Sequence, residues 1–422
     1  MITTEKKYTF IESLDRLAQV AVHVGLGIEP GQTPSQELLI SAPIEALALV
    51  RLITEHAYKA GVVLVSPHFY DDECIVARYK FARDESFDTT AVWFADGLYA
   101  AFKGNAARLS ISGGNPALLA GQDQSKIARV SKVSSTASKP AMEMITRHDI
   151  NWGIVANATP EWAALVFPDD APEKALGKLW DAIFAASRVH ADDPVAEWKR
   201  HSQQLKLRSK MMNGKNYAAL RYTGPGTDLE IGLADDHKWL GGGGKANNGI
   251  SCMPNIPTEE IFTTPHKDRV NGTVRSTKPL SHQGTLIKDI EVRFEAGRIV
   301  DAKASEGQEA FQRLIATDEG ARRLGEVALV PHSSPISASG LLFFNTLFDE
   351  NAASHIALGQ AYSSCIRGGD EMDGEQLAAK GANTSLIHVD WMIGSGEVDV
   401  DGVTKDGTVE PLMRKGEWVT AV

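Results

Sequence analysis

The sequence predicts an α/β fold in two domains: an N-terminal parallel-sheet βαβ domain over residues 1–205 and a C-terminal mixed, β-rich domain over residues 206–422. Three observations lead there. At 422 residues the chain exceeds what one ordinary hydrophobic core serves, so two domains are the default. Its first half alternates strand-length apolar runs with helical periods, the pattern of a parallel sheet covered by helices. Beyond about residue 200 short strands gather around turn residues instead.

Ile11, Leu14, Leu17, Ala18, Ala21 and Val22 recur at helical spacing over residues 8–24, and Gly25 stops the helix. Residues 37–42 read as a strand, 44–60 as a helix ended by Gly61, and 62–66 as a second strand, which together make a βαβ unit. Residues 106–112 and 152–158 are further strands, with helices around 90–102, 140–148, 160–167 and 172–189. The Ser-rich stretch 131–138 reads as a surface loop. Gly25, Gly27 and Gly31 follow a helix instead of joining a strand to one, so they form a connecting loop and not a dinucleotide fingerprint.

In the second half, residues 217–222 and 227–233 flank Gly224-Pro225-Gly226 as a hairpin. Strand-like pieces follow at 271–277, 285–294 and 297–303. Gly241–Gly244 with Lys245 lacks the spacing, and the following Ser or Thr, of a phosphate loop, and reads as a flexible loop near a site.

Composition narrows the function. A content of 43% hydrophobic and 23% charged residues is that of a soluble globular protein. The longest apolar runs, such as residues 44–50, are too short to span a bilayer. Residues 1–7 lead into a charged amphipathic segment with no apolar signal core, so export is not indicated. Cys74, Cys252 and Cys365 are far apart, which suggests reduced, small buried residues and a cytoplasmic home. A formal charge of -11 argues against a general nucleic-acid binder. No Gly-Xaa-Ser-Xaa-Gly elbow supports a serine hydrolase.

The chemistry concentrates around Asn255-Ile-Pro-Thr-Glu-Glu-Ile-Phe-Thr-Thr-Pro265. Glu259 and Glu260 stand between two prolines, outside any long helix, in a semi-buried setting that costs free energy unless a cation or proton meets them. Glu326 opens the apolar run to Pro331 and needs a cation for the same reason, unless it lies at a surface edge. His355 and Tyr362, seven apart, share a face if their segment is helical, and Glu350 reaches the same cavity from a turn. In residues 386–394, a strand-length run, His388 and Asp390 point to one face. They either bind one metal together or form a satisfied core pair.

Glu260, Glu326, Glu350 and Asp390 together bring four negative charges, which two divalent ions would balance. Two such ions ~3.5–4 Å apart repel by roughly 15–20 kcal/mol at an effective dielectric of about 20, so a bridging carboxylate is required. Mixed His and carboxylate ligands suit zinc, cobalt or manganese, with magnesium also possible.

Residues 255–265, 325–331, 348–362 and 388–394 resemble, in order and spacing, the aminopeptidase T / aminopeptidase S family of dinuclear metallo-aminopeptidases. The resemblance implies that Glu260, Glu326, His355, His388 and Asp390 are metal ligands, with Glu326 the bridge and Glu350 a further ligand. Tyr362 falls on the family's active-site tyrosine, donating a hydrogen bond to the oxyanion or orienting a ligand. Glu259, beside a metal-binding glutamate, is the candidate general base and acid. The implied reaction removes N-terminal amino acids from peptides by a hydroxide bound at a two-metal site in the C-terminal domain. The implied partners are peptides with a free N-terminus and a second copy of the chain, with no nucleic acid and no membrane. The alternative is a dinuclear hydrolase of non-peptide amides or esters.

Overall fold

Four parallel strands form the sheet of the first unit in the computed structural model, which describes residues 8–31, 35–282 and 284–420. Residues 1–7, on which the expectation about export rests, lie outside the described residues. The chain divides into two compact units: Met1–His201 with Gly243–Pro257, and Ser202–Gly242 with Thr258–Val422.

In the first unit the strands are β1 (Glu37–Pro43), β2 (Leu64–Tyr70), β3 (Ala107–Ser112) and β4 (Trp152–Ala156), in the order β2-β1-β3-β4. The helices of its chain are α1 (Phe10–Val20), α2 (Leu47–Lys59), α3 (Asp72–Phe81), α4 (Val92–Lys103), α5 (Gln124–Thr146), α6 (Pro160–Val166), α7 (Pro172–Ala186) and α8 (Pro194–Lys215), the last continuing past His201. Thr9 starts α1 with a capping box: its hydroxyl accepts the Glu12 N–H at 3.3 Å while Glu12 accepts the Thr9 N–H at 2.7 Å. The expected βαβ opening is therefore present, with the second strand shifted C-terminally to Leu64–Tyr70.

Two readings are corrected here. The Ser-rich stretch 131–138 is no loop but the middle of α5. There Thr136 and Ser138 hydroxyls return to the carbonyls one turn earlier, at 2.7 and 2.8 Å, so hydroxyls that favour turns are absorbed by the helix itself. Cys74 is exposed, unlike the buried Cys252 and Cys365. α3 and α8 were not expected. Beyond Pro194 at its start, α8 buries only a thin stripe, Trp198, Leu205, Ser209 and Met212, too sparse for a periodicity argument.

Among the described residues the second unit holds two large antiparallel sheets and a two-stranded one, Leu280–His282 with Thr285–Ile287. The eight-stranded one begins with the hairpin Ala219–Gly224 and Thr227–Leu233, turning at Gly226 with φ 74°. Its core includes Leu229, Ile231, Val292, Phe294 and Phe311. The five-stranded sheet runs His388–Met392, His355–Gly359, Leu324–Leu329, Ile261–Thr263, Leu240–Gly241. Residues 355–359 are thus a strand, and the conditional helical face joining His355 to Tyr362 does not exist. Among the described residues no helix is long and apolar enough to cross a membrane.

Candidate metal centre

The five-stranded sheet converts distant sequence positions into neighbours. Glu326 lies opposite Ala357, and Ala357 opposite Asp390; His355 lies opposite Ala328, and His388 opposite Gly359. Directly opposed residues share a face, and the strand period is two, so Glu326, His355, His388 and Asp390 all project from one side. The positions between them are Ala328, Ala357 and Gly359, whose small side chains leave the space above the sheet to the ionisable groups. Glu260 enters from the loop that precedes Ile261–Thr263.

A bulge aims Glu326. Leu324 pairs with Leu358 but Glu326 with Ala357, so Gly325 is the extra residue. A Cβ there would stand 2.3 Å from the Gln360 carbonyl oxygen, which only glycine avoids.

Glu260 Oε2 is 3.2 Å and Glu326 Oε1 3.7 Å from His355 Nε2. Glu326 Oε2 is 3.6 Å from His388 Nε2, which is 3.5 Å from Asp390 Oδ1. Each oxygen of Glu326 therefore faces a different imidazole. Glu260, Glu326 and His355 each offer one ligand atom within 4.8 Å of the others. Both imidazoles turn Nδ1 to a carbonyl: His355 to Ala353 at 3.1 Å, His388 to Gln360 at 2.7 Å. A carbonyl only accepts, so Nδ1 carries the proton and Nε2 faces the acids, the orientation of a metal-ligating histidine.

Burial pushes the Glu326 carboxyl up to about 7 and Glu350 well above the usual carboxylate range, the latter with help from Glu260 and Asp390. Burial would lower both imidazoles, but acids outweigh it. Hydrogen bonds to Glu260 and Glu326 hold His355 well above its ordinary value, and Asp390 with Glu326 lifts His388 to about 10. Burial would raise Asp390, yet His388 holds it below the usual range. Protons thus offset part of the excess negative charge.

The donor set fits a metal. Among the described residues the buried Asp390 Oδ1 accepts no hydrogen bond, an orphaned lone pair within a ring of carboxylates and imidazoles. Four carboxylates and two imidazoles, without a thiolate ligand, match zinc or another borderline to hard divalent ion. Glu350 sits in a 3-10 turn, Glu350–Ala352, near enough to Glu260 and Asp390 for their charges to act on it. Tyr362 stacks obliquely on His388, ring centroids 4.9 Å apart, and burial with the charges of Glu326, Asp390 and Glu350 holds its hydroxyl protonated. Glu259 is buried beside Glu260, its N–H donating to Asn351 Oδ1 at 2.7 Å.

Sequence reasoning missed Asn351. This buried residue also donates from Nδ2 to Leu347 O at 3.1 Å and Glu350 Oε1 at 3.4 Å, tying the Glu259 loop to the Glu350 turn. A lone Asn among alanines and serines carries no pattern that would reveal it. Of the loop expected at Gly241–Gly244 with Lys245, only Gly242 and Gly243 lie outside strands: Gly241 ends a short strand, Leu240–Gly241, paired with Ile261–Phe262 at the edge of this sheet, and Gly244–Lys245 pairs with Ser251–Cys252.

The chain matches the family model described as thermophilic metalloprotease (M29) over residues 10–418. Aminopeptidase T of Thermus thermophilus is 48% identical over 410 residues, 97% of this chain and 99% of that protein. Aminopeptidase AmpS of Bacillus subtilis is 43% identical over 410 residues, again 97% and 99% of the two chains. The solved structure of wild-type AmpT from Thermus thermophilus superposes with a TM-score of 0.92 at 47% identity, covering 98% of this chain and 100% of that one.

Proposed function

The chain belongs to the thermophilic metalloprotease family, and on that premise we propose that it is a metal-dependent aminopeptidase removing N-terminal amino acids from peptides. Its metal centre would be formed by Glu260, Glu326, His355, His388 and Asp390, with Glu350 as a further ligand and Glu326 bridging two divalent ions of zinc, cobalt, manganese or magnesium. The observation that carries this reading is Glu326 itself, whose two oxygens face His355 at 3.7 Å and His388 at 3.6 Å.

Such ions supply Lewis acidity, lowering the pKa of water and polarising a carbonyl. The protein's own residues do the rest. Two imidazoles fixed through Nδ1 keep the acids apart and oriented. Tyr362, protonated and beside His388, donates to the carbonyl oxygen as negative charge develops there. Glu259 takes the proton of the attacking water and returns it to the departing amine. Excess carboxylate charge attracts the free α-ammonium of the substrate, which favours cleavage at the N-terminus. The His388 side chain is 21% exposed and that of His355 1%, so the substrate approaches from the His388 and Tyr362 side.

The exposed Phe81 and Trp93, at 83% and 77%, support a homodimer that covers apolar surface. The absence of a disulfide among the described residues is in keeping with a cytoplasmic location.

The test is elemental analysis of the purified chain together with hydrolysis of leucyl and N-acetyl-leucyl substrates, before and after chelation. We expect bound divalent metal, cleavage of the free-amine substrate only, and loss of turnover on chelation. Full turnover after exhaustive chelation would end the metal reading, and equal cleavage of the blocked substrate would favour a general amide or ester hydrolase.

A further inference from the structure

The parallel sheet of the first unit has two unlike faces. Leu38 and Ile40 of β1, with Leu109 and Ile111 of β3, form a buried apolar face. Arg108 and Ser110 alternate with them on the other face; Ser41 is the strand partner of Ser110, and His68 of β2 the partner of Ser41. Parallel sheets covered on both sides read as apolar throughout, and this face departs from that rule. Its cover is partial. Phe102 of α4 and Ala141 and Ile145 of α5 pack with Leu39 in one cluster, while Ser41, Arg108 and Ser110 are only half-buried and His68 is exposed. The Phe94 ring of α4, 5.2 Å from the His68 ring, walls one side.

Arg108 is the anomaly. Among the described residues its guanidinium makes no hydrogen bond and no ion pair, and the Ser41 and Ser110 hydroxyls make no hydrogen bond. Burial alone acts on it, lowering its pKa, with no acid close enough to contribute. A cation taken from water without a counter-ion is costly. It stands on β3, which with β1 forms the central pair of the sheet from which the chain leads outward to β2 and β4, and Ser41 and Ser110 follow it toward the carboxyl ends of those two strands.

We propose that this face binds a small carboxylate, anchored by the Arg108 guanidinium and completed by the Ser41 and Ser110 hydroxyls. A planar fork of N–H donors matches the two carboxylate oxygens, and hydroxyls satisfy the lone pairs that remain. Phe94 on one side and Trp152, the strand partner of Arg108, on the other offer apolar surface to the body of the molecule. The site rests on the first unit alone and stands independently of the metal centre.

The probe is N-acetyl-leucine, a carboxylate without a free amine, titrated calorimetrically into the metal-loaded full chain. Wild type binds saturably. Arg108→Met weakens binding by about tenfold or more, the loss expected when a bidentate charge-assisted pair is removed, and Arg108→Lys retains part of it. Leucyl-substrate turnover is unchanged in both. Ser110→Ala, which leaves the arginine in place, also weakens binding and keeps the assignment testable if Arg108→Met folds poorly. Equal binding by wild type and Arg108→Met, or none by wild type, overturns the proposal. So does binding lost in Glu260→Gln but kept in Arg108→Met, which puts the carboxylate at the metal centre. Inorganic phosphate bound more tightly than N-acetyl-leucine overturns the carboxylate assignment.

Discussion

At the scale of single residues, two neighbouring glutamates are assigned opposite jobs, and substitution separates them. Glu260→Gln keeps the shape but removes a charged ligand, so bound metal and turnover fall together. Glu259→Gln keeps bound metal and loses turnover by about 10²–10⁴-fold, the range for a positioned acid–base group. Elemental analysis beside kcat distinguishes them; metal lost from the Glu259 variant reverses the roles. Asn351→Ala leaves the buried Glu259 N–H without its acceptor and costs about 1–3 kcal/mol in denaturant unfolding. His237 gives a pH signature. Burial first, then Arg367 and Lys405, hold its pKa below the ordinary 6.5, although its Nδ1 contacts the Ala234 carbonyl at 3.0 Å. The unfolded chain therefore binds more protons at mildly acidic pH, so this residue's contribution is full above 6.5 and fades as pH falls below it. A His237→Leu variant should show a flatter loss of Tm between about pH 7 and 5 than wild type. Identical slopes would contradict this.

At the scale of elements, some of the structure was legible and some was not, for physical reasons. His388 and Asp390 read correctly as one face of a strand because an apolar run interrupted every second residue has a single interpretation. Residues 355–359 are buried on both faces, and a short run of that kind fits helix and strand alike. Ser131–Ser138 looked like a loop because local composition favours turns, while packing and helical hydrogen bonds decided otherwise. The spacers of the site sheet were invisible, since Ala328, Ala357 and Gly359 gain meaning only through register. They are also where an element-scale prediction lies. Ala357→Leu adds bulk between Glu326 and Asp390, overpacking the layer by about 1–3 kcal/mol and abolishing metal binding at a position that is no ligand. Retained stoichiometric metal in a folded Ala357→Leu would show that the face is roomier than the register implies. The same logic marks Gly325, where a methyl group meets backbone oxygen and not a side chain that can swing away.

At the scale of the whole molecule, the candidate ligands come from four chain segments, and no local pattern says that such segments meet; the antiparallel order of the five-stranded sheet brings them together. Contacts of this range are what a metal can lock, because an ion that binds the folded cluster and not the separated segments adds its binding free energy to stability. With free metal at a hundred times Kd the gain is about 2.7 kcal/mol per site, and chelation removes it. The effect should be local. Among the described residues the buried metal-type cluster Glu260, Glu326 and His355 belongs to the second unit. Hydrogen exchange followed by mass spectrometry, with and without chelator, should therefore show metal-dependent protection in Leu324–Leu329, His355–Gly359 and His388–Met392, and little change in β1–β4. Protection gained equally across both sheets would mean that the ion acts through the global unfolding of a single cooperative unit. Protection gained only in β1–β4 would place the metal elsewhere and remove the basis for reading this sheet as the catalytic one.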